Sequence, residues 1–419
     1  MRRPTRRRFV PLAAAAAVTT LVVTACGTSA STTASSTAQP ITVGISLPLS
    51  GQFADDGLAT LNGYKLWASD VNTNGGLLNR PVKLVIRNDN SNEKTVASDY
   101  NVLINQDHVN LTLAPFSTLL TSDAQPVTQK YGYALVAGSA TGGLVFGPPS
   151  FHNFFSVSLP VKLEMASFAN WVLTLPPSQR QTAAYPEVSD PFADPPVDST
   201  EATLHRHGVK TLYWNSGKQA AVSNGQIHAA AVRAAQHHPQ IVVIGSVDLP
   251  SLLIFIHTFE AMKYTPNIMI AASGPDQGQA FLNKLNPFNA QDIMVPDGWF
   301  GGEQNALSHV MVEDYIAKYG GTSADINADV AEAYSAGEVL ADAVKATGTT
   351  DNRQIINYLH SPVTLQTVQG PVKFQADGEN LKGQAFIFQW QNNGQFIPVL
   401  GPDTGTKGPV ASKPGFQAG

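Results

Sequence analysis

Short apolar runs alternate with amphipathic stretches of helical length along most of this chain. Residues 41–47 and 82–87 are apolar runs of strand length, and 58–71 places Leu61, Tyr64, Ala68 and Val71 on one helical face. Asn74-Gly75-Gly76 ends that helix, with glycine where a left-handed residue is needed. A second helix is predicted over 94–106. Residues 111–114 and 134–136 flank a segment, 121–130, whose Ala124, Val127 and Thr128 have helical spacing, so 111–146 reads as a β-α-β unit. Regular alternation of this kind predicts an α/β protein with a parallel sheet covered by helices on both faces.

The second half repeats the pattern. A strand-like 154–158 leads into a helix at 161–175, closed by Pro176-Pro177, where the chain is expected to cross between domains for the first time. Strands follow at 182–185, 211–214, 241–244 and 268–271, with helices at 225–236 and 250–262 between them. Asp194 with Pro195 and Pro196 marks another helix start, and Gly208 its stop. Residues 293–295 read as a second crossing and 372–374 as a third. Helices are expected between these two at 306–319, 327–347 and 353–360. A hairpin, 385–390 with 395–399, turns at Asn392-Asn393-Gly394. Residues 401–419 have no period and read as a disordered tail.

The N-terminus changes the picture. Arg2, Arg3, Arg6, Arg7 and Arg8 form a basic segment, 10–23 is apolar, and Val23-Thr24-Ala25-Cys26 has the form of a lipoprotein cleavage site. The apolar run is shorter than the roughly 20 residues that a membrane span needs. Residues 1–26 therefore read as a lipoprotein signal peptide, with lipid carried on Cys26, the one cysteine of the chain. Residues 5–10 resemble a twin-arginine export signal, which leaves the export route open. In 27–40, eight of fourteen residues are Ser or Thr, the composition of a flexible tether. Loss of the signal removes five of 26 basic residues and leaves 21 against 31 acidic ones, a net charge near −10. Such a surface disfavours nucleic acid and anionic lipid. The remaining length exceeds what one core usually organises, so two domains are expected.

Candidate chemistry sits after the strands of the 111–146 unit. Ligands of open parallel sheets bind outside the carboxyl ends of the strands, where this chain has Pro115-Phe116-Ser117-Thr118 and Gly138-Ser139-Ala140-Thr141. Both loops offer hydroxyls and backbone N–H groups and no charge, which suits a small polar ligand. The same residues are also the usual ones of strand-to-helix turns. No Gly-x-Ser-x-Gly elbow, phosphate loop or His-Glu-x-x-His is found, so an enzyme is not expected. His205, His207, His237 and His238 read as solvated helix-end residues rather than metal ligands, and no cofactor or metal is expected.

In order and spacing, the segments ITVGISLPLSGQFADDGLATLNGYKLW, DVNTNGGLLNRPVKLVIRNDN, GSATG, VEDYIAKYGGTSADINADVAEAYSAGEVLADAV and GPVKFQADGENLKGQAFIFQW carry a resemblance. Over 41–399 the chain resembles the solute-binding proteins of branched-chain amino acid ABC importers. The resemblance implies the type I periplasmic binding protein fold: two Rossmann-like lobes with parallel-rich sheets, joined by three crossover strands. Lobe 1 would comprise 41–157 and 299–372, lobe 2 158–298 and 373–400. It also implies a monomer outside the cytoplasmic membrane, anchored through Cys26, that presents a small amino acid to membrane permease subunits.

Within that resemblance, Ser117, in a loop shared with Thr118, takes the ligand carboxylate. Ser139, Ala140 and Thr141 supply N–H, hydroxyl and carbonyl groups, and Asp276 of Gly274-Pro275-Asp276 pairs the ammonium. Phe192 and Val247 fall near positions that cover the ligand. Structural alternatives stand beside these roles: Ser117 and Thr141 as helix caps, Asp276 as the N-cap of a helix at 277–285, Phe192 as packing. Asp56 stands where relatives often carry an apolar cover, and a carboxylate there is costly beside a buried aliphatic side chain unless it is solvated or paired. Ser91 and Phe116 fall near the positions of a disulfide found in some relatives. An amide, urea or small organic acid as ligand, or a receptor-type sensor of the same fold, are the rival readings.

Overall fold

The computed structural model describes residues 39–147, 151–216, 223–302, 305–402 and 408–417. The expected signal peptide, with its lipidated Cys26, and nearly all of the expected tether lie outside the described residues. The first sheet contains β1 (Ile41–Leu47), β2 (Val82–Asn88), β3 (Leu111–Leu113), β4 (Leu135–Ala137) and β5 (Phe154–Ser156) in the order β2-β1-β3-β4-β5. All its pairings are parallel. Alternate residues feed opposite faces: Leu111, Leu113 and Val136 enter one core, Ala114, Leu135 and Ala137 the other. Both faces are covered, which is why these strands read as near-continuous apolar runs.

Helices α1 (Ala54–Thr73), α2 (Glu93–Asn105), α3 (Thr118–Tyr131) and the single turn α4 (Gly143–Phe146) connect these strands. The second sheet holds β6 (Thr182–Tyr185), β7 (Lys210–Trp214), β8 (Ile241–Ile244), β9 (Ile268–Ala271) and β10 (Ile293–Asp297), all parallel. Helices α5 (Ala166–Thr174), α6 (Asp194–Arg206), α7 (Asn224–Gln236), α8 (Leu249–Ala261) and α9 (Gln279–Ala290) pack around it. The chain then returns to the first lobe for α10 (Ala306–Tyr319), α11 (Ala328–Thr347) and α12 (Asn352–Leu359). A two-stranded ribbon, β11 (Leu365–Thr367) with β12 (Gly370–Val372), follows. The chain ends its regular structure with β13 (Phe386–Trp390) and β14 (Phe396–Leu400), which join the second sheet antiparallel beside β10.

Three differences from the sequence reading have physical causes. Residues 293–295, expected as a crossing, are the core of β10, buried between β9 and β13; the passage comes just after, at Asp297-Gly298-Trp299, and Trp299 is buried in the first lobe. The helix expected over 161–175 is broken into a 3₁₀ turn at Val161–Leu163 and α5.

The third difference is the tail. Residues 401–419 were expected to be disordered, but 408–417 are docked on the second sheet. Gln389 accepts the Val410 N–H and donates to the Val410 carbonyl, both at 3.0 Å. The Lys413 N–H donates to Asn267, and its Nζ to the carbonyls of Asn289 at 2.8 Å and Gln291 at 2.7 Å. Backbone and side-chain polar pairing fixes this stretch without any apolar period. Burial pushes the Lys413 ammonium down to about 7. Lys413→Ala leaves two carbonyls without a donor and is expected to cost about 1–3 kcal/mol in urea unfolding, with faster proteolysis near the end of the chain.

Candidate ligand-binding site

The carboxyl ends of strands in both sheets face one cavity between the lobes. From the first lobe, the loop after β3 brings Phe116 and Ser117, the loop after β4 brings Ser139 and Thr141, and the first turn of α1 brings Asp56. From the second lobe come Phe192 after β6, Val247 after β8, Ala272, Ser273 and Asp276 after β9, and Pro296 and Asp297 at the end of β10. Glu164 enters from just after the 3₁₀ turn at Val161–Leu163, and Asn327, Ala328, Asp329 and Glu332 from the start of α11.

Hydrogen bonds order these walls. Thr118 is fully buried, and its Oγ1 accepts the N–H groups of Thr141 at 3.2 Å and Gly142 at 2.9 Å, so it holds the two hydroxyl loops together. Side-chain hydrogen bonds join the lobes: Gln277 donates to Asp56 Oδ1 at 2.7 Å and accepts from Asn327 at 3.4 Å, and Gln52 donates to Asp248 Oδ2 at 2.9 Å. Val247 crosses the same seam, packing into the first-lobe cluster that contains Phe53 and Ala140.

Two hydroxyls in the lining lack a partner. Ser117 precedes α3 without capping it through its side chain, and Ser117 Oγ and Thr141 Oγ1 are buried without a hydrogen bond. Neither is therefore spent on the helix-capping role that the sequence allows. Nor does Asp276 cap a helix: α9 begins at Gln279 after Gly278, and Asp276 Oδ1 accepts the N–H of Gly274 within its own turn.

The electrostatics of the lining are one-sided. It holds six carboxyl groups, Asp56, Glu164, Asp276, Asp297, Asp329 and Glu332, and no lysine, arginine or histidine. Burial pushes Asp56 up to about 8, with Asp276 adding repulsion and the Gln277 hydrogen bond opposing it. Burial raises Glu332 to about 7 and Asp276 to about 6. Glu164, Asp297 and Asp329 are held well above the usual carboxylate range, first by burial and then by their acidic neighbours.

The sequence profile of the periplasmic binding protein family matches residues 40–395. The chain belongs to that family. An amino acid binding protein of Pseudomonas aeruginosa is 20% identical over 369 residues, covering 85% of this chain and 91% of the relative. The structure of the branched-chain amino acid transporter substrate binding protein LivJ of Streptococcus pneumoniae, in complex with isoleucine, is also similar. It aligns with a TM-score of 0.71 at 19% identity, over 87% of this chain and all of that one. A solute binding protein of an ABC transporter from R. palustris, in complex with benzoate, aligns at a TM-score of 0.71 and 16% identity, over 90% of this chain and 98% of that one. These structures share the type I fold of two parallel-rich α/β lobes.

Of the residues singled out in the sequence of this periplasmic binding protein, Asp56, Ser117, Ser139, Thr141, Phe192, Val247 and Asp276 line the cavity. Thr118 and Ala140 do not; both are fully buried behind it. Asp56 meets the condition set for a carboxylate there, because Gln277 pairs it. Sequence reasoning missed Glu164, Asp297, Asp329 and Glu332. The rule that located Ser117 would also have found Asp297, which ends a strand. Asp329 and Glu332 are one turn apart on a single helix face, a spacing visible in NADVAE.

Among the described residues, no helix is long and apolar enough to cross a membrane.

Proposed function

We propose that this chain is the extracytoplasmic solute-binding subunit of an ABC importer and captures a small amino acid or related amine between its lobes. The observation that carries this reading is the cavity itself, walled by strand ends from both sheets and bridged by the Gln277–Asp56 and Gln52–Asp248 contacts. A solute touching both walls stabilises the closed arrangement, and a permease that recognises this arrangement responds to the shift in population. No bond of the solute is made or broken. Lipid on Cys26 would keep the protein at the outer face of the cytoplasmic membrane.

The lining supports an ammonium group over a free acid. A benzoate such as the R. palustris protein holds would meet no basic residue here, whereas Asp276 offers an ammonium a carboxylate. Ser117, Ser139 and Thr141 offer hydroxyls to a second polar group. A branched side chain such as that of the isoleucine in LivJ would lie against Phe192, Val247 and Ala272.

The test is a thermal-shift screen of solute-free protein against the twenty amino acids, short amines, amides and small acids. At about 1,000 times Kd, a bound solute adds roughly 4 kcal/mol and raises the midpoint measurably. Asp276→Ala is expected to weaken the solute so identified about 10- to 100-fold by calorimetry. A screen in which nothing shifts the midpoint would remove the solute-binding role.

A further inference from the structure

We infer that the solute is a small organic cation carrying two or more separated ammonium or guanidinium groups on an alkyl spine, of which a diamine is the simplest case. This rests on the solute-binding reading above and narrows it.

The first observation is a charge imbalance that the protein does not correct. The six carboxyl groups reach the cavity from five places in the fold: Asp56 on α1, Glu164 after the 3₁₀ turn at Val161–Leu163, Asp276 after β9, Asp297 at the end of β10, and Asp329 and Glu332 together on α11. Among the described residues none of the six takes part in an ion pair. Their hydrogen-bond donors are neutral: Gln277 for Asp56, Ser139 at 3.4 Å for Asp329, and backbone N–H groups for Asp276 and Asp297. Buried acids without a counter-charge hold their protons because ionising them there is costly, and a cationic solute supplies the partner that lets them ionise.

The second observation is independent of charge. Ser117 Oγ and Thr141 Oγ1 line the same cavity at 6% and 4% residue exposure, each without a partner. Buried hydroxyls are seldom left unpaired, and both can accept an N–H from a solute.

The arrangement favours two or more separated cationic groups over the alternatives. A zwitterionic neutral amino acid brings one ammonium together with another carboxylate, adding no net positive charge. A single metal ion needs its ligands gathered, and no group of three or more acidic, histidine or cysteine side chains among the described residues is close enough to hold one. Spread carboxylates match spread cations. Between them Phe116, Phe192, Val247, Ala272, Pro296 and Ala328 offer apolar surface to a methylene spine.

Calorimetry on the purified, solute-free protein at pH 7.5 tests this with 1,4-diaminobutane, 4-guanidinobutylamine, L-lysine, butylamine and L-leucine. At least one of the first three is expected to bind about 100-fold more tightly than butylamine or leucine. Binding by the diamine but not lysine would show that a carboxylate is rejected, and tight binding by lysine that it is tolerated; either supports the inference. Asp329→Asn and Glu332→Gln are each expected to weaken the preferred dication about 30-fold or more. The thermal midpoint of the empty protein should hold or rise in both variants, because each replaces a buried ionisable acid with a neutral amide of the same shape, so lost affinity is not lost folding. Leucine binding while all three dications fail would overturn the inference and leave the solute-binding reading standing. Failure of all five probes would overturn it too, and the wider amino acid panel then decides the reading beneath it. Unchanged dication affinity in both variants would also overturn it.

Discussion

Raising the pH from 5 to 7 is expected to lower the thermal midpoint of the solute-free protein. Acidic groups in the native state hold their protons longer than they do in the unfolded chain, where carboxyls titrate near 4. Asp56 is pushed up to about 8, Glu332 to about 7 and Asp276 to about 6. Away from the cavity, burial takes Glu187 to about 9 and Glu338 to about 8. Across this window the native protein binds more protons than the unfolded one, so stability falls with pH, by about 1.4 kcal/mol per pH unit for each proton retained.

The groups facing these carboxyls reinforce the sign. Asp56 meets Asp276, Asp248 and Asp55 beside Gln277; Glu332 meets Asp276 beside Ser139 and Ser158; Asp329 meets Asp56, Glu332, Asp276 and Asp297; Glu164 meets Glu332 and Asp276. No cation stands among them. Lys413, lowered to about 7, acts in the opposite direction above that pH, and His152, lowered by burial and by the neighbouring His360, opposes the decline within the interval, where the raised carboxyls outnumber it. Scanning calorimetry at pH 5, 6 and 7 checks this, and a midpoint that rises across the series contradicts it. A bound cationic solute should flatten the decline, because it favours the deprotonated acids.

Gly63→Val is expected to cost about 3 kcal/mol or more in urea unfolding and to weaken solute binding as well. Gly63 lies where α1 crosses α11, and a Cβ there would sit 2.3 Å from the Val330 carbonyl oxygen and 2.8 Å from the Ala333 Cβ. That carbonyl belongs to the helix and cannot swing aside alone. The two helices must separate, and α11 is the helix that carries Asp329 and Glu332. Titration of the variant separates the effects: lost stability with unchanged solute affinity would show that the acidic turn of α11 keeps its place.

Much of this was legible in the chain because it is local. The β-α-β alternation is written in apolar runs and helical spacing, and Ser117, Ser139 and Thr141 follow strands, where the topology of a parallel sheet puts binding groups. What the sequence hides is convergence. Asp329 and Glu332 stand in a helix of mostly buried residues, where Val330, Ala331 and Ala333 suggest only packing, and nothing nearby announces Asp56 or Asp276 as neighbours. Asp297 was obscured because its strand was taken for a linker, and Glu164 because a break between two short helices looked like one continuous helix. Residues 408–417 escaped for a different reason: they are fixed by polar pairing, one buried ammonium and the isolated apolar contacts of Ala411 and Phe416, none of which makes a hydrophobic period.

The docked tail also has a practical meaning. Its anchors, Asn267 just before β9, Asn289 and Gln291 just before β10 and Gln389 near the end of antiparallel β13, lie at the amino ends of the parallel strands, while the cavity lies beyond their carboxyl ends. A fluorophore placed next to Gln417 would be carried by the second lobe at its far pole. Paired with a second dye on an exposed first-lobe position such as Lys83, it would make the protein an optical gauge of lobe motion whose labels leave the cavity untouched.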